Sequence, residues 1–119
     1  MSKILALDNL CESGLEVFQK EGFEVDVKPP QKPEELAAIV GEYDGLVIRS
    51  ATKVTAEALA HSGKLKVIGR AGVGTDNVDK VEATKRGIVV MNVPGGNTIS
   101  TCEHTLALLL ALCRNIPKA

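Results

Sequence analysis

Three glycines, Gly69, Gly72 and Gly74, sit in the stretch KVIGRAGVGTDNVD (Lys66–Asp79), after an apolar run and before a helical pattern. Such a loop offers backbone N–H groups unshielded by side chains, and an anion can approach them closely. Two kinds of anion compete: the pyrophosphate of a dinucleotide, and the carboxylate or phosphate of a small substrate. The dinucleotide fingerprint needs G-x-G-x-x-G in the first βα turn and an acidic residue about twenty positions on for the ribose. Gly72-Val73-Gly74 is followed by Thr75-Asp76-Asn77, Asn92 stands twenty residues past Gly72, and the loop follows the fourth apolar run. The dinucleotide reading fails on all three counts, and a small anion is left.

The apolar runs recur about every twenty residues: Ile4–Leu7, Phe23–Val27, Gly45–Ile48, Leu65–Ile68 and Ile88–Val93. Most are continuous and β-branched, as parallel strands covered on both faces require. Helical patterns lie between them. The first, led by Leu15 and Phe18, should stop near Gly22. Pro33 opens the second, with Glu34 and Glu35 in its first turn and Leu36, Ile39 and Val40 facing inward. Thr55 is expected to cap a short third helix over Ala56–His61, and Asp76 or Asn77 a fourth that ends at Gly87. Ser100 and Glu103 have capping-box spacing for a last helix over 100–114, whose TLALLLALC core is apolar almost all round and should be deeply buried. Five βα units predict an α/β, flavodoxin-like, doubly wound five-stranded parallel sheet, order 2-1-3-4-5, with helices on both faces.

Ligands of such sheets bind at the carboxyl ends of the strands. Arg49, Ser50 and Lys53 (in RSATK), Arg70, Gly72 and Val73 (in RAGVG) and Asn97 (in NVPGGN) gather there, a cationic rim on a chain of net charge −1. Blander roles compete with this one. The glycines could serve only as turns, Arg70 could tie loops together through carbonyls, and Lys53 could be merely solvated. His104 has no carboxylate placed to orient it as a base, and His61 meets a helix end. Cys11, Cys102 and Cys113 lack metal or disulfide spacing and read as small buried hydrophobes.

At 119 residues the chain is one domain, 1–119. Its near-neutral charge gives no general attraction to nucleic acid or membrane, and 3% aromatics leave little to stack bases or sandwich a flavin. The longest apolar run, Leu106–Cys113, is too short to span a bilayer, the start MSKILALD is no signal peptide, and a reduced, cytoplasmic setting fits the cysteines. No metal site is indicated.

At VIRSATKVT, GRAGVGTDNVD, GIVVMNVPGGNT and EHTLALLLALCRNIPKA the chain resembles the D-isomer-specific 2-hydroxyacid dehydrogenases. Within that family it looks most like the substrate-binding part of the members acting on 3-phosphoglycerate. The resemblance implies that Gly72 and Val73 hold a substrate carboxylate, with Val73 on the nicotinamide side. It further implies that Arg49, Ser50 and Lys53 face the substrate and its phosphate, Arg70 supports the loop and Asn97 lines the cleft. The last helix would run to a nucleotide-binding domain. The family's own NAD loop, ribose-binding Asp and catalytic Arg, Glu and His have no counterpart in these residues. The expectation is therefore a truncated substrate-binding domain, inactive alone and without tight NAD binding, as a monomer with the last helix folded back or a homodimer through it. The competing reading is a non-catalytic flavodoxin-like binding or oligomerisation module.

Overall fold

The computed structural model describes residues 1–118. Five strands, β1 (Lys3–Ala6), β2 (Glu24–Val27), β3 (Gly45–Ile48), β4 (Val67–Arg70) and β5 (Val89–Met91), form one parallel sheet in the order 2-1-3-4-5. They alternate with α1 (Glu12–Lys20), α2 (Pro33–Ile39), α3 (Ala56–Leu59) and α4 (Lys80–Lys85), and α5 (Thr98–Cys113) follows the last strand.

Local chemistry explains most boundaries. Gly22, at φ 82°, takes the left-handed turn that ends α1. Pro33 occupies the first turn of α2, and the Thr55 hydroxyl accepts the Ala58 N–H at the start of α3. The fourth strand begins two residues later than its apolar run, because the Leu65 N–H is held by the Ser62 carbonyl and sheet pairing starts at Val67 opposite Gly45. The fifth stops at Met91, beyond which Asn92 and Val93 bond to the loop after β4, at the carbonyls of Val73 and Gly72.

The two faces of the sheet are finished differently. On one, Leu5, Leu46 and Ile68 lie in register with one another and pack with Leu36, Val40, Ala58, Leu59 and Ala83 of the α2–α4 layer, giving a closed apolar core. On the other, Ile4, Gly45, Val67 and Val89 share a row. Helix α1, through half-buried Leu15 and Phe18, covers the β1–β2 side only.

Four sequence expectations are corrected here. Helix α4 is capped by Asp79, whose carboxylate accepts the Glu82 N–H at 2.9 Å, and not by Asp76 or Asn77. Val78 is drawn into a bridge with Val54, which postpones the helix start. The Ser100–Glu103 capping box does not form: α5 starts at Thr98, off the Gly95 turn, and the Ser100 hydroxyl donates to the Asn97 carbonyl at 3.1 Å. Helix α5 neither folds back nor is buried, since all its residues but half-buried Ala111 are exposed and Leu112 is 77% exposed. The Cα radius of gyration, 17.3 Å, exceeds the roughly 13.5 Å of a compact chain of this length because this helix projects. An all-round apolar pattern tells how many sides of a helix need covering and not what covers them. The cysteines, finally, are exposed rather than buried: Cys11 precedes α1, and Cys102 and Cys113 lie on the projecting helix.

Candidate functional site

A buried carboxylate ties the loop after β1 to the loop after β3. Asp8, at φ 62°, is shielded from solvent, and its Oδ2 accepts the N–H groups of Arg49 at 3.0 Å and Thr52 at 2.9 Å. Its Oδ1 accepts the hydroxyl of buried Thr52. Three donors on one carboxylate hold the RSAT turn in a fixed shape.

The loops after β3 and β4 are stitched through backbone and side chain together. Val54 donates to the Asn77 carbonyl and Asp79 to the Val54 carbonyl, each at 2.8 Å, around the buried Val54–Val78 bridge. The Asn77 side chain donates through Nδ2 to the carbonyls of Arg49 at 2.7 Å and Thr52 at 2.8 Å, while its Oδ1 accepts Nε of Arg70 at 3.1 Å. The loop after β5 joins the group where Val93 donates to the Gly72 carbonyl at 2.9 Å and Asn92 Nδ2 to the Val73 carbonyl at 2.8 Å.

Arg70 lies against the glycine loop. A Cβ on Gly72 would come within 2.5 Å of the Arg70 Nη1, so glycine there leaves room for the flexible end of that side chain and does not serve a special backbone angle. Of the two backbone positions expected to hold a substrate carboxylate, Gly72 is corrected: its N–H is turned back onto the Arg70 carbonyl at 2.8 Å, while the N–H groups of Val73 and of the next residue, Gly74, have no hydrogen-bond partner among the described residues. The side-chain charges of Arg49 and Lys53 likewise meet no carboxylate among the described residues, as is true also of Lys28, Lys32 and Lys66, so what sets these two apart is their place beside the open N–H groups. Unpaired N–H groups beside unpaired cations are what a small anion needs.

The predicted residues do not all share one hollow. Arg49, Gly72, Val73 and Asn97 line a cleft of about 330 Å³ together with Val93. Asn97 does not cap α5 with its side chain, which is thus free to reach into that cleft. Ser50 and Lys53 line a neighbouring hollow of about 490 Å³, shared with Thr55, Asn77 and the carboxylates of Asp76 and Asp79. Arg70 lines neither; it borders a third hollow, of about 250 Å³, with Gly69, Met91 and Asn92. Asp8, Thr52, Asn77 and Asn92 are parts of the site that sequence patterns did not single out. Their signal was slight: each is a short polar residue where a strand or loop should turn, and the role comes only from partners far along the chain.

Next to this rim, the thiol of Cys11 is pulled below its ordinary range by the Ser13 hydroxyl first, then by the Gly14 N–H, with the charge of Arg49 the smallest contribution. His104, on α5, is exposed. Among the described residues no group of three or more His, Cys, Asp or Glu is arranged to hold a metal ion, and no helix is long and apolar enough to cross a membrane.

A dinucleotide does not fit the residues present. The first βα turn, where a pyrophosphate would meet glycine N–H groups, holds the buried carboxylate of Asp8. The glycine loop after β4 opens no helix directly, since α4 begins only at Lys80.

The fold is thus an α/β domain with a parallel sheet ordered 2-1-3-4-5 and a glycine-lined cleft at the carboxyl rim of its strands. The family model for the D-isomer specific 2-hydroxyacid dehydrogenase catalytic domain matches residues 4–113, and the chain belongs to that family. It is 51% identical over 117 residues to the D-3-phosphoglycerate dehydrogenase of Archaeoglobus fulgidus, covering 98% of this chain and 22% of that protein. With the human D-3-phosphoglycerate dehydrogenase it shares 44% identity, covering 100% of this chain and 22% of that one. The chain thus spans about a fifth of the length of these relatives. Among solved structures, the NAD+-bound 3-phosphoglycerate dehydrogenase of Entamoeba histolytica superposes with a TM-score of 0.82 at 30% identity, over 92% of this chain and 38% of that chain. The TT0316 protein of Thermus thermophilus superposes at 0.88 with 34% identity, over 98% of this chain and 38% of that one.

Proposed function

We propose that these residues form the substrate-binding domain of an NAD-dependent 3-phosphoglycerate dehydrogenase, whose whole protein oxidises the 2-hydroxyl of 3-phospho-D-glycerate to 3-phosphohydroxypyruvate. The similarity to D-3-phosphoglycerate dehydrogenases across the whole chain supports the substrate. The observation that carries the site is the pairing of the open Val73 N–H with the free guanidinium of Arg49 across one cleft, with the open N–H of Gly74 next along the loop. The N–H groups hold the substrate carboxylate, as an oxyanion meets fixed dipoles with little reorganisation. Arg49, Ser50 and Lys53 take the phosphate, with Asp76 and Asp79 limiting how much negative charge the outer hollow accepts. Arg70 backs the loop, Asn97 lines the cleft, and the exposed side chain of Val73 is the surface offered to a nicotinamide ring.

The 119 residues alone do not turn over substrate or bind NAD tightly on this reading, because the base and the nucleotide loop are not among them. The leucine-rich second half of helix α5, apolar almost all round, is the surface for the nucleotide-binding domain, and between isolated chains it joins two copies. The exposed free thiols suit a reducing, cytoplasmic compartment.

The test is an amide NMR titration of the chain with 3-phospho-D-glycerate and, separately, with NAD. The acid should shift Arg49–Lys53 and Gly72–Gly74, and NAD should leave them in place. Absence of any shift at millimolar 3-phospho-D-glycerate would sink the site, and NAD-dependent turnover by the purified chain would sink the proposed inactivity.

A further inference from the structure

The loop after β3 and the glycine loop after β4 are the two jaws of the proposed anion site, and one side chain touches both. A carboxamide has one carbonyl acceptor and two N–H donors. At Asn77 all are used: Oδ1 takes the Arg70 Nε, and Nδ2 meets the carbonyls of Arg49 and Thr52, at the two ends of the RSAT turn. On the far side, the same Arg70 guanidinium fills the space beside Gly72, and its Nη1 lies 3.5 Å from where a Gly74 Cβ would stand. The contacts therefore run in one line, from RSAT turn to carboxamide to guanidinium to glycine loop.

We propose that Asn77 is a positioning residue that fixes the spacing of these two jaws and thereby favours ligands carrying two anionic groups over ligands carrying one. This rests on the anion-site reading above and deepens it. Each jaw keeps its own shape without Asn77: Asp8 holds the RSAT turn through Arg49 and Thr52, and Val93 and Asn92 hold the glycine loop. The backbone bridge Val54–Val78 also survives a side-chain change at position 77. That bridge still joins the two loops at Val54 and Val78, so what a change loosens is the link from the Arg49–Thr52 turn to the Arg70 guanidinium and, through it, to Gly72 and Gly74. A ligand that engages both jaws at once gains from having their spacing preset, whereas a single-anion ligand engages one jaw and gains nothing.

Asn77→Ala removes the whole link. Asn77→Asp keeps an acceptor for Arg70 but turns a carboxylate oxygen towards two carbonyls, pushing the RSAT turn outward while preserving side-chain size. The 119-residue chain and both variants are titrated by amide shifts with 3-phospho-D-glycerate, D-glycerate and inorganic phosphate, and thermal melts confirm that each variant is folded. In both variants the Kd for 3-phospho-D-glycerate should rise about tenfold, with D-glycerate and phosphate each within about twofold of the unaltered chain. Equal weakening for all three ligands would make Asn77 a general brace and overturn the inference, as would an unchanged Kd for 3-phospho-D-glycerate. If the unaltered chain binds none of the three, the anion-site reading fails and takes this inference with it. If it binds and the variants keep the same preference, only the inference fails.

Discussion

The two faces of the sheet come from the same five strands, yet one is finished and the other is not. Beneath α2, α3 and α4, Leu5, Leu46, Ile48 and Ile68 are shielded almost completely. On the opposite face α1 reaches only part of the way, and Val89 and Met91 at the β5 edge remain 58% and 54% exposed. The sheet's two edges differ as well. At the β2 edge Lys3 pairs with Glu24 at 3.3 Å and Asp26 at 3.1 Å, and the Tyr43 hydroxyl donates to Asp26 at 2.7 Å. At the β5 edge the next element, α5, leaves the body with its leucines uncovered. Stability is thus concentrated on one face and one edge, while the other face and edge present apolar surface for something else to cover.

Truncating one residue on each face tests this contrast most severely. Leu46→Ala should lower the unfolding free energy by about 2–5 kcal/mol in a denaturant titration, since it opens a cavity in the closed core. Val89→Ala, on the same sheet but in the open row, should cost no more than about 0.5 kcal/mol. Comparable losses at the two positions would mean that the open face is covered in solution.

Helix α5 gives the next largest effect. Sedimentation at micromolar concentration should show the chain associating, and Leu109→Lys with Leu112→Lys should leave it monomeric with stability changed by no more than about 0.5 kcal/mol. A loss of several kcal/mol from the two lysines would instead place the helix against its own sheet.

How much of this was legible in the sequence follows from the range of each interaction. The strand order and the α2 start could be read because β-branched runs, Pro33 and the βα period act within a few residues or through general packing rules. The rim residues Arg49 and Gly72 could be located because ligand sites in this fold lie at strand ends. Asn77 could not be read as a link, because its partners at Arg49 and Thr52 lie 28 and 25 residues away, and a polar residue after a glycine loop looks locally like a helix cap. The exposure of α5 was misread for the opposite reason: its composition is informative, but the covering surface is not encoded in the helix.

The charged edge predicts a pH response. Tyr43, the single tyrosine of the chain, is pushed up to about 12, first by burial and then by its hydrogen bond to Asp26. Because the folded value is raised, its contribution to stability is complete below the ordinary tyrosine value near 10 and is lost as pH climbs through about 12. Asp26 and Asp44 are held below the usual carboxylate range, Asp26 chiefly by the Tyr43 hydroxyl and Asp44 chiefly by the Lys3 N–H. Their contributions are present above the ordinary carboxylate values and fade as pH falls through the depressed ones. Tyrosinate absorbance should therefore rise at about pH 12 in the intact chain, and Asp26→Asn should bring that midpoint down without returning it fully to 10, since burial remains. A midpoint near 10 in the intact chain would show that the β2 edge is not closed as described.

The smallest stability effect is expected where the two halves of the site touch. Gly72→Ala places a methyl group where the Arg70 Nη1 lies, but that atom ends a flexible side chain and Gly72 does not need a positive φ. The guanidinium can swing aside, so unfolding free energy should change by no more than about 0.5 kcal/mol. Its displacement strains the hydrogen bond to Asn77 at 3.1 Å, which joins the glycine loop to the RSAT turn. A near-neutral melt with a shifted Arg70 Nε resonance would locate the role of Gly72 in the space it leaves for that side chain. A loss of more than about 2 kcal/mol would mean that the guanidinium is held too firmly to yield, and that this rim belongs with the closed core rather than with the open face of the sheet.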